Sequence, residues 1–194
     1  NVSRGTMAKA KAVDLAGDAL RELGQKAVDA AKYVVEVGSE FEAAMSEVEA
    51  ISGASGSSLE QMSDKAKELG SSTKFSATGV ANGFKYMSLA GWSTEQMLSS
   101  IGGVVDLAAA SEMDLAAASD MVTDYLSAFG MEASDAGKMA DMMAFAQANS
   151  NTSVTQLGEA YQNCAANMHA AGQDMKTTTS FLEAFANQGM KGSR

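Results

Sequence analysis

Apolar side chains recur every seven residues through the first part of the chain. Val13, Leu20, Ala27, Val34, Phe41 and Val48 form one series, and Ala16, Leu23, Ala30, Val37, Ala44 and Ile51 follow each of them three residues later. Alternating steps of three and four keep both series on one side of an α-helix. Sustained this long, they mark a supercoiled helix that meets a partner. A second series of small residues, Gly17, Gly24, Ala31 and Gly38, flanks the first and would let a partner backbone approach closely. Each glycine costs about 1 kcal/mol against alanine inside a helix, so the segment is marginal by itself. The pattern predicts a helical arm over residues 1–51 with a seam of Val13, Leu20, Leu23, Val34, Val37, Phe41, Val48 and Ile51. Two destinations for that seam stay open, a second chain or the arm's own domain.

The heptads stop at Ser52-Gly-Ala-Ser-Gly-Ser-Ser58, which reads as a flexible linker. Over residues 59–194 apolar positions return in short helical blocks, each opened by a hydroxyl or carboxylate and most closed by glycine. Ser57 with Glu60, Ser93 with Gln96, Ser111 with Asp114, and Ser153 with Gln156 have capping-box spacing, while Ser76, Ser134 and Asp174 are further starts. Gly70, Gly91, Gly130, Gly172 and Gly189 are the expected stops. The resulting stripes include Met62 and Ala66, Met97 to Ala108, Leu115 to Phe129, Met139 with Met143, and Val154, Leu157, Tyr161 and Cys164. Met175, Leu182 and Phe185 form the last. About seven short helices, each with one apolar stripe, must bury those stripes on one another, which makes the fold class all-α with an arm followed by a bundle. An octad, Asp106-Leu-Ala-Ala-Ala-Ser-Glu-Met113, is repeated at once from Asp114 to Met121. Eight residues do not preserve a helix face, so the repeat predicts two Ala-rich helices meeting at a cap near Ser111.

Composition supports this picture. The chain has no proline, 36 alanines, 14 methionines and two isoleucines, a balance that favours helix and disfavours sheet. Net charge is −10, and between Lys85 and Lys138 there is no basic residue but there are eight acidic ones. Such a stretch repels phosphate, which argues against sequence-specific nucleic-acid binding. One cysteine excludes an internal disulfide framework and fits a reducing compartment. No window reaches 18 uninterrupted apolar residues, so no transmembrane segment is expected.

Catalytic chemistry finds no constellation. Cys164 and His169 are the only candidate nucleophile and base pair, and five residues on one helix set them roughly 140° apart around its axis. Cys164 reads as a small core residue and His169 as a surface one. The carboxylates Asp106, Asp114, Asp120 and Asp124 lack the alternating loop ligands of a calcium site. Zinc would need more His or Cys. No catalytic, cofactor-binding or metal residue is therefore assigned. A peptidoglycan-cleaving enzyme would need a glutamate beside a sugar-binding aromatic. Glu159 near Tyr161 is the nearest approach, and Tyr161 belongs to the buried stripe.

The order and spacing of several short runs resemble the core region of bacteriophage tail tape-measure proteins. They are Ala66-Lys-Glu-Leu-Gly70 through Lys74, Phe75 and Ala77, then Ala81 to Gly91, Leu107 to Ser111, Asp114-Leu115, Ala128-Phe129-Gly130, Ala140-Asp141 and Ala171-Gly172. The resemblance implies a structural, non-enzymatic piece of a longer helical protein. Such a protein assembles in the tail lumen, sets tail length and leaves ahead of the DNA. It further implies self-association as a trimer or hexamer, contact with the tail tube protein and tail assembly chaperones, and residence in the virion tail after assembly in the host cytoplasm. Gly79 and the Gly102-Gly103 pair depart from the pattern by placing glycine where helix formers are expected. The alternative is a helical-bundle interaction or signalling module of a bacterial protein; a signalling or adhesin-type rod would carry heptads through most of the chain, and here they cease at the Ser52–Ser58 break.

Overall fold

The computed structural model describes the backbone of residues 4–192 and the side chains of residues 21–192. Among the described residues there is no strand. Eight α-helices follow one another: α1 (Arg4–Ser52), α2 (Ser57–Ser72), α3 (Ala77–Leu89), α4 (Thr94–Ser111), α5 (Leu115–Ala128), α6 (Ala136–Asn149), α7 (Val154–Ala170) and α8 (Met175–Asn187). A 3-10 turn, Ala133–Asp135, leads into α6. The all-α expectation of one long helix and seven short ones holds. Internal contacts divide the chain into two units, residues 1–42 and 43–194.

Most helix ends follow local chemistry. Ser93 and Ser153 close full capping boxes with Gln96 and Gln156. Ser76 Oγ accepts from the Gly79 amide, and α3 runs unbroken through that glycine. Asp174 accepts from the Thr177 amide, and this hydrogen bond holds its carboxyl below the usual range. Gly91, Gly130, Gly172 and Gly189 all take positive φ after a helix. At that position an L side chain would crowd the backbone.

Other ends differ from the sequence reading. Ser57 does not cap α2, whose N-cap is Gly56 without a side-chain bond. The expected linker is a short corner at residues 53–56, because Ser52, Ser57 and Ser58 are helical. Ser52 Oγ accepts from the Ala54 amide at 3.1 Å, and Ala54 is buried. Ser111 closes α4 while Asp114 caps α5 through the Ala116 and Ala117 amides. Ser134 lies within the 3-10 turn instead of opening α6.

Gly70 is no stop either, since α2 runs on to Ser72. Its purpose is tertiary: a Cβ there would sit 2.5 Å from the Ala77 amide nitrogen. The Gly102-Gly103 pair leaves α4 continuous. A Cβ on Gly103 would lie 2.7 Å from Gly137 Cα on α6, whereas one on Gly102 would meet nothing within 4 Å.

Within the second unit α4 packs on α3, α5 and α6, α3 also contacts α2 and α5, and α7 and α8 close the far side against α5 and α6. Met62, Phe84, Met87, Met97, Ile101, Met139, Met143 and Tyr161 are fully buried. Unbranched methionines fill the irregular gaps left by small neighbours. Tyr161 packs against Tyr125 and, edge-on, Phe129, with ring centroids 5.3 and 5.7 Å away. Its hydroxyl pairs with Thr179 Oγ1. Tyr125 donates to the Gly158 carbonyl at 2.6 Å. Burial raises both phenols, Tyr125 to about 12.

Two outcomes test this packing by urea unfolding. Gly103→Ala should destabilise the bundle by roughly 1–3 kcal/mol, because backbone faces backbone and neither can yield. Gly102→Ala, in open space on the same helix, should stabilise it by up to about 1 kcal/mol. Equal effects would show that helix propensity and not the α4–α6 approach sets the response. Tyr125→Phe should cost about 1 kcal/mol, the net worth of one buried hydrogen bond.

Candidate interaction surface

The first unit carries the widest apolar exposure. Every described residue from 21 to 40 is exposed. Leu23 is 64% accessible, Val34 69% and Val35 72%, and Val28, Tyr33 and Val37 are exposed as well. At about 100° per residue these side chains share one side of α1, with Tyr33 at one edge and Val28 at the other. Arg21, Glu22, Gln25, Asp29, Lys32, Glu36 and Glu40 fill the opposite side. On that polar side Gln25 donates to Asp29 at 3.0 Å, and Glu22 pairs at 2.8 Å with Lys26, a lone charge that falls between Tyr33 and Val37 at the edge of the apolar arc. The apolar face takes up more than half the circumference, wider than a two-residue seam. The heptad reading missed Val28, Val35 and Tyr33, which lie outside its a and d series but adjoin it on the helix wheel.

The expected seam residues do not share one environment. Val13 and Leu20 have side chains outside the described residues. Leu23, Val34 and Val37 are exposed on the first unit, and Phe41 is half-buried. Val48 is fully buried in the second unit together with Ala44 and Met45, so it already serves a core. Ile51 is 38% exposed. Nearby, Lys85 pairs with Glu47 at 2.5 Å, and this bond raises the lysine's affinity for its proton.

The groups weighed for chemistry remain scattered. Cys164 is half-buried and Ala165 takes its place in the core, and burial pushes the thiol up from its ordinary value. His169 is exposed at the end of α7, edge-on to Phe129 at 6.5 Å. Glu159 is exposed, but Tyr161 is fully buried and cannot stack on a sugar. Asp120 and Asp124 lie one turn apart on α5. Burial, then the charge of Asp120, raises the Asp124 carboxyl. Among the described residues no three His, Cys, Asp or Glu side chains gather as metal ligands, and no helix is long and apolar enough to cross a membrane. Phe185, expected in the core of α8, is half exposed, because Ala186 turns inward instead. With Phe145 and Phe181 it forms part of the apolar exposure of the bundle.

Among the described residues the widest apolar exposure is thus the arm face. The chain is 38% identical over 160 residues to the tape measure protein of Pneumococcus phage Dp-1, which covers 82% of this chain. It spans only 14% of the length of that relative. No solved structure matches it. The family model of phage-related minor tail proteins matches residues 63–194, which takes in most of α2 and everything after it. The chain belongs to that family, the phage-related minor tail proteins.

Proposed function

We propose that this chain is a structural segment of a tape-measure protein. In this reading it helps to set tail length, assembles with the tail tube protein and tail chaperones in the host cytoplasm, and leaves the virion tail before the DNA. The similarity to the Dp-1 protein supports the role. The observation that carries the mechanism is the exposed apolar face of the arm at Leu23, Val34, Val35 and Val37. Burying a large apolar side chain contributes about 1.5–3 kcal/mol, so a heptad-patterned helix gains strongly by association with like helices. A face wider than one seam suits neighbours on two sides, as in a trimer or hexamer. The segment itself is non-catalytic in this reading, because Cys164, His169 and Glu159, the groups weighed for chemistry, do not assemble with an orienting partner among the described residues.

Two measurements test the proposal. In the full chain, Leu23→Asp, Val34→Asp and Val37→Asp together should hold the protein monomeric at concentrations where the parent sediments as three or more copies. Each charge would otherwise be desolvated in an apolar contact. The melting of the bundle should not move, since all three positions lie outside the 43–194 unit. A parent chain that stays monomeric throughout would overturn association through the arm. In the phage, in-frame removal of residues 21–34, two whole heptads, should shorten tails by about 21 Å at 1.5 Å per residue. Electron microscopy of tails with unchanged length would count against the tape-measure role.

A further inference from the structure

Among the described residues seven glycines have positive φ, and one other residue does. That residue is Glu112, at +56°, in the corner between α4 and α5. No glycine or proline enforces a stop there, and the local signal is the Asp114 carboxylate that caps α5. Residues 104–128 contain neither glycine nor proline, and the octad Asp106–Met113 is repeated as Asp114–Met121, so the two sides of the corner have the same helix-forming composition.

Further support for the bend is supplied from elsewhere in the fold. In a continuous helix the amides of Met113 and Asp114 would donate to the carbonyls of Ala109 and Ala110. Here the Met113 amide turns back to Ala108 O at 3.1 Å. Two of the carbonyls left over are taken by side chains: Lys74 Nζ donates to Ala109 O, and Gln147 Nε2 on α6 donates to Ala110 O, each at 3.2 Å. The Asp114 carboxylate then restarts the helix by accepting from Ala116 and Ala117 at 2.9 and 3.3 Å. Straightening would give both carbonyls their ordinary amide partners and release Glu112 from the left-handed region.

A straight helix over 94–128 would lift α5 off α3 and α4 and uncover Leu115, Ser119, Val122 and Leu126, all buried. One surface is shaped to take them back, the same α3–α4 face on a second copy. Gly83 of α3 leaves the space they need, since a Cβ there would lie 3.0 Å from Ser119 Oγ and 3.6 Å from Leu115 Cγ. We propose that the α4–α5 corner is a domain-exchange hinge. It opens into one helix, and α5–α8 of each chain pack on α2–α4 of a second copy. All contacts of the bundle except those of the corner re-form between chains, so the corner and the protein concentration set the balance. The exchange uses no residue of the arm face and stands apart from the association proposed above.

The test uses the full chain carrying the three arm aspartates, so that the arm does not contribute, with Cys164→Ser and spin labels at Ser99→Cys and Ser127→Cys. Both label sites are exposed, on α4 and α5. Labelled chains are diluted with unlabelled ones so that the distance is read within a chain. Lys74→Ala, Gln147→Ala and Asp114→Ala together should yield a dimer on concentration, by light scattering, with a label separation of about 42 Å. Adding Glu112→Gly, which accepts positive φ without strain, should return the monomer and the short separation of two packed helices. Should the triple variant fold poorly, the unsubstituted corner refolded from urea at high concentration gives a second reading. It should trap the same long-distance dimer, and Glu112→Gly should reduce the yield about tenfold. A monomer at every concentration in both protocols, or a dimer that keeps the short separation, would overturn the hinge.

Discussion

Where α4 crosses α6, backbone rests on backbone. Gly103 lies so close to Gly137 that a methyl group on Gly103 has no room, and Gly70 meets the start of α3 in the same way. This close approach governs the bundle. Helices surfaced with alanine and glycine have little side-chain area to bury one by one, so they gain cohesion by coming near enough for many small contacts. α4 is the element that makes this work, since it touches α3, α5 and α6 together. The larger side chains then fill what the close crossings leave open. Methionine predominates among them because an unbranched thioether adapts to irregular gaps.

The same economy of volume explains the buried hydroxyls. Ser88, Ser100, Ser119, Thr123, Thr178 and Thr179 stand at core positions where a small side chain is needed. Most of them return their proton to a carbonyl one turn earlier, as Ser88 does to Phe84 and Ser119 to Leu115, both at 2.8 Å. Ser100 lies 2.6 Å from Gln96 O and 2.8 Å from Ala133 O, so one hydroxyl ties α4 to the turn before α6. No buried side-chain nitrogen or oxygen lacks a partner among the described residues. Satisfied in this way, a polar group adds little cost to an otherwise apolar interior.

The two units answer the burial problem differently. The bundle closes its stripes on one another within residues 43–194, while the arm leaves Leu23, Val34, Val35 and Val37 in solvent. An apolar face of that extent on a helix without catalytic surroundings is suited to assembly. That accords with membership of a family of phage tail proteins. The α4–α5 corner shows a second way in which such a chain can stay adaptable. Two carbonyls freed at its bend accept from Lys74 and Gln147, side chains that a change of partner could withdraw.

Much of this was legible in the sequence, because helices are specified locally. Proline-free, Ala-rich composition, the capping spacing at Ser93 and Ser153, and the glycines at 91, 130, 172 and 189 set seven short helices after a long one. Periodicity likewise picked out Met97, Ile101, Leu115, Val122, Leu157 and Tyr161 as buried. Each of these features acts within one or two turns, which is the range over which sequence spacing translates directly into geometry. Tertiary structure decided the rest. Only the fold shows that Gly70 and Gly103 mark close crossings and not helix ends, that Val48 belongs to the bundle core, and that Ala165 and Ala186 turn inward in place of Cys164 and Phe185. Nor could the octad repeat reveal which side chains hold its corner, since Lys74 and Gln147 lie more than thirty residues away on either side. Spacing along a helix says which face a residue occupies, but only packing decides which part of that face another element covers.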